Sequence, residues 1–173
     1  MTTLTHISHL PAHRLTIAYT DAGVVSIEFS DMPLASESMP STSDSPQFLA
    51  VLRQKMNAYL HGQSQVDFTT IPLALSDASQ FQLRVWQAVK RIPYGQVCSY
   101  QDVARKIGNK HAARAVGRAL ATNPVLIVIP CHRVLTSGGN LGGYRAGTEL
   151  KKKLLTLEAP NHNHSYSGGN SYV

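Results

Sequence analysis

Acidic residues and cysteine are both scarce in this chain. It has ten Asp and Glu against sixteen Lys and Arg, and two cysteines among 173 residues. Cys98 and Cys131 lie far apart and form no Cys-x-x-Cys pair, so neither a disulfide scaffold nor a zinc site is indicated. At least one of them is expected to be a free thiol.

Long apolar runs are also missing. The longest, Val125 to Ile129, is far shorter than the about twenty residues that cross a bilayer, and residues 1–10 lack the basic start and apolar stretch of a secretory signal. These absences predict a cytoplasmic protein with no membrane partner. The formal net charge of +6 favours an anionic partner, although basic charge alone indicates nucleic acid only weakly.

The N-terminal part of the chain has the pattern of a sheet followed by a helix. Short β-branched segments at residues 14–19 and 24–29 predict a hairpin, and apolar residues at helical spacing predict a helix over Gln47–Leu60. The residues just before 78 show no clear period and form the predicted linker. We therefore expect one domain over residues 1–77 and a second over residues 78–159.

The second domain is predicted to be mostly helical. Ser79 and Ser99 can each cap a helix, and the helix after Ser99 is predicted to run to Ile107, where Gly108-Asn109 stops it. A helix over residues 112–121 follows, and two short helices joined by a glycine turn suggest a helix-turn-helix. The other predicted elements are a buried strand or extended segment at Val125–Ile129, a flexible loop at Gly138–Gly143, a final helix at Thr148–Leu157, and a disordered polar tail over 160–173.

Cys131 stands at the end of the apolar segment, directly before His132 and Arg133. Cationic and imidazole groups lower a thiol pKa from about 8.5, so this setting predicts a thiolate nucleophile. The alternatives are a small core residue and a structural histidine. Neighbours in an extended chain point to opposite faces, so His132 needs a bend or a bridging water to act on the sulfur.

The helix over residues 112–121 is rich in small side chains, which allow close approach to another backbone or to DNA. Arg114 and Arg118 share one face and can reach phosphates or a base stack. The alternative is a well-packed core helix with a solvated arginine face. Tyr100 and Tyr144 likewise suit either a core or a binding wall.

The segment Ile129-Pro130-Cys131-His132-Arg133-Val134 resembles the active-site motif of the O6-alkylguanine-DNA alkyltransferases, also called methylated-DNA–protein-cysteine methyltransferases. The resemblance is strong over residues 79–158 and weak before them. It extends to Phe81-Gln82, Val85-Trp86, Ile92-Pro93-Tyr94-Gly95, Ser99-Tyr100, Ala112-Ala113-Arg114-Ala115-Val116-Gly117, Asn123-Pro124, Gly142-Gly143-Tyr144, and Leu154-Leu155 with Glu158.

The resemblance implies an α+β fold. Its N-terminal domain would be ribonuclease H-like, with a β-sheet plus a helix, and its C-terminal domain mostly helical with a winged-helix or helix-turn-helix DNA-binding core. It implies double-stranded DNA containing alkylated guanine as the partner, a protein that is monomeric in solution, and neither a metal nor a cofactor. Cooperative assembly on DNA is left open.

The resemblance also implies direct-reversal DNA repair, in which an alkyl group moves irreversibly from O6 of a flipped guanine to Cys131, once per protein molecule. Activity on alkylthymine and the preferred alkyl size stay open. His132 would remove the thiol proton through a water, and Glu158 would orient His132. Asn123 would order the turn that carries the thiol, and Tyr100 would donate a hydrogen bond to the guanine ring.

The remaining implied roles concern DNA and the base. Arg114 resembles the finger that fills the space left by the flipped nucleotide. The other implied DNA-binding residues are Ala113, Ala115, Gly117, Arg118 and Tyr100, and the alkylguanine pocket is expected to include Tyr144, Val134, Arg145 and Tyr100.

Two other functions compete with alkyl transfer. A non-catalytic protein could bind alkylated DNA and signal to another repair pathway, but the presence of Cys131 argues against it. A cysteine hydrolase would require a third residue beside cysteine and histidine, and the sequence gives no separate signal for one. Cys98 is expected to be a buried bystander.

Overall fold

The computed structural model describes residues 2–5, 14–30, 46–64 and 66–159. The predicted disordered tail over 160–173 lies outside these residues. The chain forms two compact units, the first from residues 1–77 with 124–128 and the second from residues 78–123 with 129–173. This differs from the predicted division, in which residues 124–128 belong to the second domain.

The first unit contains an antiparallel sheet and one helix. Strands β1 (Thr2–Thr5), β2 (Arg14–Thr20) and β3 (Gly23–Ser30) lie in the order β1-β2-β3, and α1 spans Gln47–Leu60. The hairpin of β2 and β3 was expected, but β1 was not. Gly23 has a φ of +147°, and a Cβ there would lie 2.7 Å from the Pro72 carbonyl, so only glycine fits this close approach.

The segment Val125–Ile129 is buried as predicted, but it is neither a strand nor an extended segment. Val125 makes a single bridge to Ile27, and Ile127 takes a φ of +70°, a conformation that a β-branched residue rarely adopts. The reason is local geometry, because Asn123 Nδ2 donates to the Ile129 carbonyl at 2.9 Å and holds the two ends of the segment together. Five residues between such closely held ends must turn.

The second unit is mostly helical. Its elements are α2 (Gln80–Lys90), β4 (Cys98–Ser99), α3 (Tyr100–Lys106), α4 (Ala113–Ala121), a 3₁₀ turn (Cys131–Arg133), β5 (Val134–Leu135) and α5 (Thr148–Glu158). The short strands β4 and β5 pair in parallel and bring Cys98 beside Val134. This pairing joins the start of α3 to the chain that follows Cys131.

Two helices of the second unit, α2 and α3, begin where side chains satisfy their free amide groups. Ser79 forms a capping box with Gln82, and Ser99 forms one with Asp102, so both predicted caps are confirmed. The Trp86 indole donates to the Ala119 carbonyl at 2.9 Å and ties α2 to α4. In the part of the chain that the structure describes, no helix is long and apolar enough to cross a membrane.

Candidate active site

Cys131 begins the 3₁₀ turn, so the chain bends at Cys131 and His132 and is not extended there. Its sulfur accepts a hydrogen bond from Asn123 Nδ2 at 3.0 Å, and its own amide donates to the Ile129 carbonyl at 2.8 Å. The residue is 4% exposed, yet it lines a cavity of the second unit. Cys131 is therefore buried from bulk solvent and forms part of the wall of that cavity.

Asn123 directly follows the end of α4 and is completely buried. An Asn side chain has two N–H donors, and here the same nitrogen serves the Cys131 sulfur and the Ile129 carbonyl. The expected role of Asn123 in ordering the turn agrees with these two bonds.

Behind the thiol, His132, Arg133 and Glu158 form a buried cluster. Glu158 Oε1 accepts from His132 Nε2 at 2.8 Å and from Arg133 Nη2 at 2.9 Å, while Oε2 accepts from Arg133 Nε at 2.8 Å. Arg133 also donates to the Ile92 carbonyl at 2.6 Å. The Glu158 carboxylate is thus held on both sides by cationic or imidazole donors.

The charges in this cluster follow from its burial and its hydrogen bonds. Burial acts to raise the pKa of Glu158, but hydrogen bonds from His132 and Arg133 and the Arg133 charge hold that pKa well below its usual range. Burial lowers the pKa of His132 despite its carboxylate partner, so the imidazole is neutral at pH 7. Because its Nε2 donates to Glu158, its Nδ1 is the basic nitrogen.

The thiol is less acidic than the sequence predicts. Burial raises the pKa of Cys131, and the Asn123 hydrogen bond and the charges of Lys151 and Arg145 only partly oppose this. The prediction of a lowered pKa is therefore wrong for the protein without a bound partner. The cationic groups are present, but removing the sulfur from water outweighs them.

Lys151 was missed by the sequence analysis. It is buried in α5, and its ammonium donates to the carbonyls of Val134 at 2.7 Å, of Gly143 at 3.4 Å, and of Leu141. Burial lowers its pKa to about 8. A signal was available, because Lys151 and Glu158 share the apolar face of α5 with Leu154.

The cavity has a volume of about 650 Å³, within the range of small-molecule pockets. Arg114 and Tyr100, from α4 and the start of α3, lie on its wall with Cys131. Its full lining is Tyr100, Gln101, Ala113, Arg114, Gly117, Leu120, Ala121, Cys131, Thr136, Ser137, Gly142, Gly143, Tyr144 and Arg145. Polar, cationic and aromatic side chains thus surround one thiol.

Two tyrosines, Tyr100 and Tyr144, line the cavity. Gly142 has a φ of +63°, and a Cβ there would lie 3.0 Å from the Tyr100 hydroxyl, so this glycine allows Tyr100 to approach. The Tyr144 hydroxyl is buried with no hydrogen-bond partner among the described residues. Its ring meets the His132 ring edge to face, at 6.3 Å between centroids.

Several residues predicted for the site lie outside the cavity lining. His132, Glu158 and Asn123 stand behind the thiol, and Ala115 and Arg118 lie elsewhere on α4. Val134 is buried in β5, where its carbonyl accepts from Lys151. Cys98 is buried in β4, and burial raises its pKa to about 11, which leaves it a poor nucleophile.

The arrangement has the parts needed for nucleophilic substitution. A soft sulfur nucleophile faces a cavity, a neutral imidazole lies beside it in the chain, and a carboxylate orients that imidazole. Hydrogen-bond donors and cations stand where negative charge on sulfur would develop.

Comparison with known proteins agrees with this chemistry. A family model described as "6-O-methylguanine DNA methyltransferase, DNA binding domain" matches residues 80–160. The methylated-DNA–protein-cysteine methyltransferase of Metallosphaera sedula is 39% identical over 148 residues, covering 86% of this chain and 88% of its own length. That of Mycolicibacterium paratuberculosis is 38% identical over 149 residues, covering 86% and 87%.

A solved structure is similar over nearly the whole chain. The crystal structure of Mycobacterium tuberculosis OGT in complex with DNA superposes with a TM-score of 0.72 and 34% identity, covering 92% of this chain and 95% of that one. The mixed α/β architecture is therefore shared with a protein that has been crystallised on DNA.

Proposed function

Because the chain belongs to the methylated-DNA–protein-cysteine methyltransferases, which repair DNA directly by transferring an alkyl group to one of their own cysteines, we propose that Cys131 is the acceptor. The observation that carries this proposal is that Cys131 lines a cavity whose wall also carries Arg114 and Tyr100. Cys98, the other cysteine, is buried in β4 outside that cavity.

The proposed substrate is O6-alkylguanine in double-stranded DNA, with O4-alkylthymine as a further candidate. The Cys131 thiolate attacks the alkyl carbon, a carbon–sulfur bond forms, and the bond from that carbon to O6 breaks. The electron pair leaves with O6, and the guanine anion then takes a proton. Tyr100 donates a hydrogen bond to the ring, where it helps most as negative charge develops.

The thiol proton is proposed to pass to the neutral His132, through its basic Nδ1 and a bridging water. Glu158 holds the imidazole in this tautomer, and Arg133 keeps Glu158 ionised. The Asn123 N–H then stabilises the thiolate. Among the described residues, no group could displace the alkyl chain from the Cys131 thioether, so each protein molecule reacts once.

DNA is the partner, and we propose that it binds across α3 and α4 as a helix-turn-helix within a winged-helix domain. The small residues of α4, Ala113, Ala115 and Gly117, allow close approach to the duplex, and Arg118 contacts phosphate. Arg114 fills the space of the flipped nucleotide, whose base enters the cavity. We further propose a ribonuclease H-like first domain and a monomer in solution.

Intact mass measurement tests the acceptor. After incubation with O6-methylguanine DNA, the wild-type chain is expected to gain one methyl group on the Cys131 peptide, and Cys131→Ser is expected to gain none. Cys98→Ser is the matched control and should react like the wild type. A methyl group on the Cys98 peptide would overturn the assignment, and lesion binding without any mass gain would favour the non-catalytic alternative.

Substitution of Arg114 tests the DNA interface. Arg114→Ala is expected to weaken both binding and transfer, whereas Arg84→Ala removes an equal charge from an exposed position on α2 and should change neither. Binding by the wild type should weaken as salt rises, because phosphate contacts release counterions. Equal effects of the two substitutions would contradict the proposed role of Arg114.

A further inference from the structure

Arg145 connects the wall of the cavity to the residue that holds the thiol. Its side chain lines the cavity, and its Nη1 donates to the Asn123 carbonyl at 3.0 Å. Asn123 in turn donates from its side chain to the Cys131 sulfur at 3.0 Å. The buried Asn123 therefore accepts a hydrogen bond from Arg145 at its backbone carbonyl and donates one from its side-chain amide to the Cys131 sulfur.

The position of the Asn123 backbone determines where its amide points. The Asn123 N–H donates to the Leu120 carbonyl at 3.2 Å, at the end of α4, and the Asn123 carbonyl accepts from Arg145. Both peptide groups that flank the Asn123 side chain are thus held. An N–H to sulfur hydrogen bond depends on distance and angle, so a small shift of this backbone weakens it.

The charge of Arg145 acts on the same sulfur. Burial raises the pKa of Cys131, and the positive charges of Lys151 and Arg145 oppose that rise. Lys151 is occupied with the carbonyls of the loop and of β5, whereas Arg145 lies at the exposed side of the cavity. Arg145 is therefore a cation near the sulfur that can be replaced with little loss of buried packing.

We propose that Arg145 is a positioning residue for alkyl transfer, which holds Asn123 by its carbonyl so that the amide meets the Cys131 sulfur, and which keeps positive charge beside the thiolate. The proposal rests on Cys131 being the acceptor. This role for Arg145 goes beyond the part in the alkylguanine pocket that the resemblance implies.

The test compares Arg145→Met and Arg145→Lys with the wild type in the full chain. The rate of Cys131 alkylation by iodoacetamide is measured against pH by peptide mass mapping, without DNA, and single-turnover methyl transfer is measured at saturating O6-methylguanine DNA. Arg84→Met is the matched control for loss of one exposed positive charge. Thermal melts check that each variant is folded.

Arg145→Met is expected to move the midpoint of the iodoacetamide profile upward by roughly half a unit to one unit and to slow methyl transfer about tenfold. Arg145→Lys keeps the charge but not the planar fork, so it should keep the midpoint and recover part of the rate. If Arg145→Met keeps the wild-type midpoint, the proposal is overturned. A purely steric role of Arg145 in the pocket would leave that midpoint unchanged.

A double variant tests whether Arg145 acts through Asn123. In the Asn123→Ala background the amide is gone, so Arg145→Met should slow methyl transfer by a smaller factor than in the wild type. If Arg145→Met slows methyl transfer by the same factor in the wild type and in Asn123→Ala, the connection through Asn123 is overturned. If wild-type Cys131 took no methyl group while its iodoacetamide profile still depended on Arg145, the acceptor assignment would fail, and only the effect of Arg145 on the reactivity of the thiol would remain.

Discussion

The close approach of Gly142 and Tyr100 allows a sharp test of the cavity. In Gly142→Ala the new Cβ would lie 3.0 Å from the Tyr100 hydroxyl and 3.3 Å from its Cε2 atom, at a φ of +63°. The left-handed conformation costs an alanine about 1–2 kcal/mol. The contact in addition requires Tyr100 to move by a few tenths of an ångström, and Tyr100 is the proposed donor to the guanine ring.

Two other glycines separate these effects. Gly147 has a φ of +88° with nothing within 4 Å of its Cβ position, so Gly147→Ala carries the backbone strain without the contact. Gly143 does not adopt a positive φ, and nothing lies within 4 Å of its Cβ position, so Gly143→Ala carries neither the strain nor the contact. The three variants form a matched set within one stretch of chain.

Urea unfolding should show a loss of about 1–2 kcal/mol for Gly142→Ala, a loss of about 1–3 kcal/mol for Gly147→Ala, whose φ of +88° and ψ of 148° are rarely adopted by residues other than glycine, and little change for Gly143→Ala. Because a displacement of about 1 Å can cost about a hundredfold in rate, a few tenths of an ångström should slow methyl transfer about three- to tenfold in Gly142→Ala alone. Equal transfer rates for Gly142→Ala and Gly147→Ala would refute the role assigned to Tyr100.

Three further predictions concern the groups behind the cavity. The folded chain holds His132 neutral and Glu158 ionised, both with lowered pKa values, so the stabilisation tied to His132 is complete above about pH 6.5 and that tied to Glu158 above about pH 4.5. The free energy of unfolding should therefore fall as the pH drops below about 6.5 and fall further below about 4.5, and Glu158→Gln should reduce the second fall. Asn123→Ala removes a hydrogen bond to the thiolate that contributes about 1.5–3 kcal/mol, so single-turnover transfer should slow at least about tenfold, and an unchanged rate would contradict the bond. Lys151→Met should speed amide hydrogen exchange over residues 141–143, whereas the exposed Lys152→Met should not.

Much of the fold follows from local sequence patterns. The capping residues Ser79 and Ser99 and the helical spacing of Gln47–Leu60 predict helices that the structure contains, because caps and apolar periodicity act within one or two turns. The motif around Cys131 likewise predicts which residues carry chemistry, since those residues are close together in the chain.

The contacts between distant parts of the chain could not be predicted in this way. The parallel pairing of β4 with β5 and the turn at residues 124–128 depend on which segments meet, and an apolar run alone reads equally well as a strand. Arg133 contacts Glu158, which lies 25 residues later in the chain. The Lys151 ammonium meets the carbonyls of Val134 and Gly143 only when those residues pack against α5.

The amino-acid sequence by itself determined which residues flank Cys131, the positions of the helices to within about one residue at their ends, and the family resemblance, because each is written in adjacent or regularly spaced residues. Tertiary structure alone decided that Cys131 is buried yet lines a cavity, that burial raises the pKa of its thiol, and that Arg145 reaches the Asn123 carbonyl. The physical reason is that solvation and hydrogen bonding depend on what surrounds a group in space.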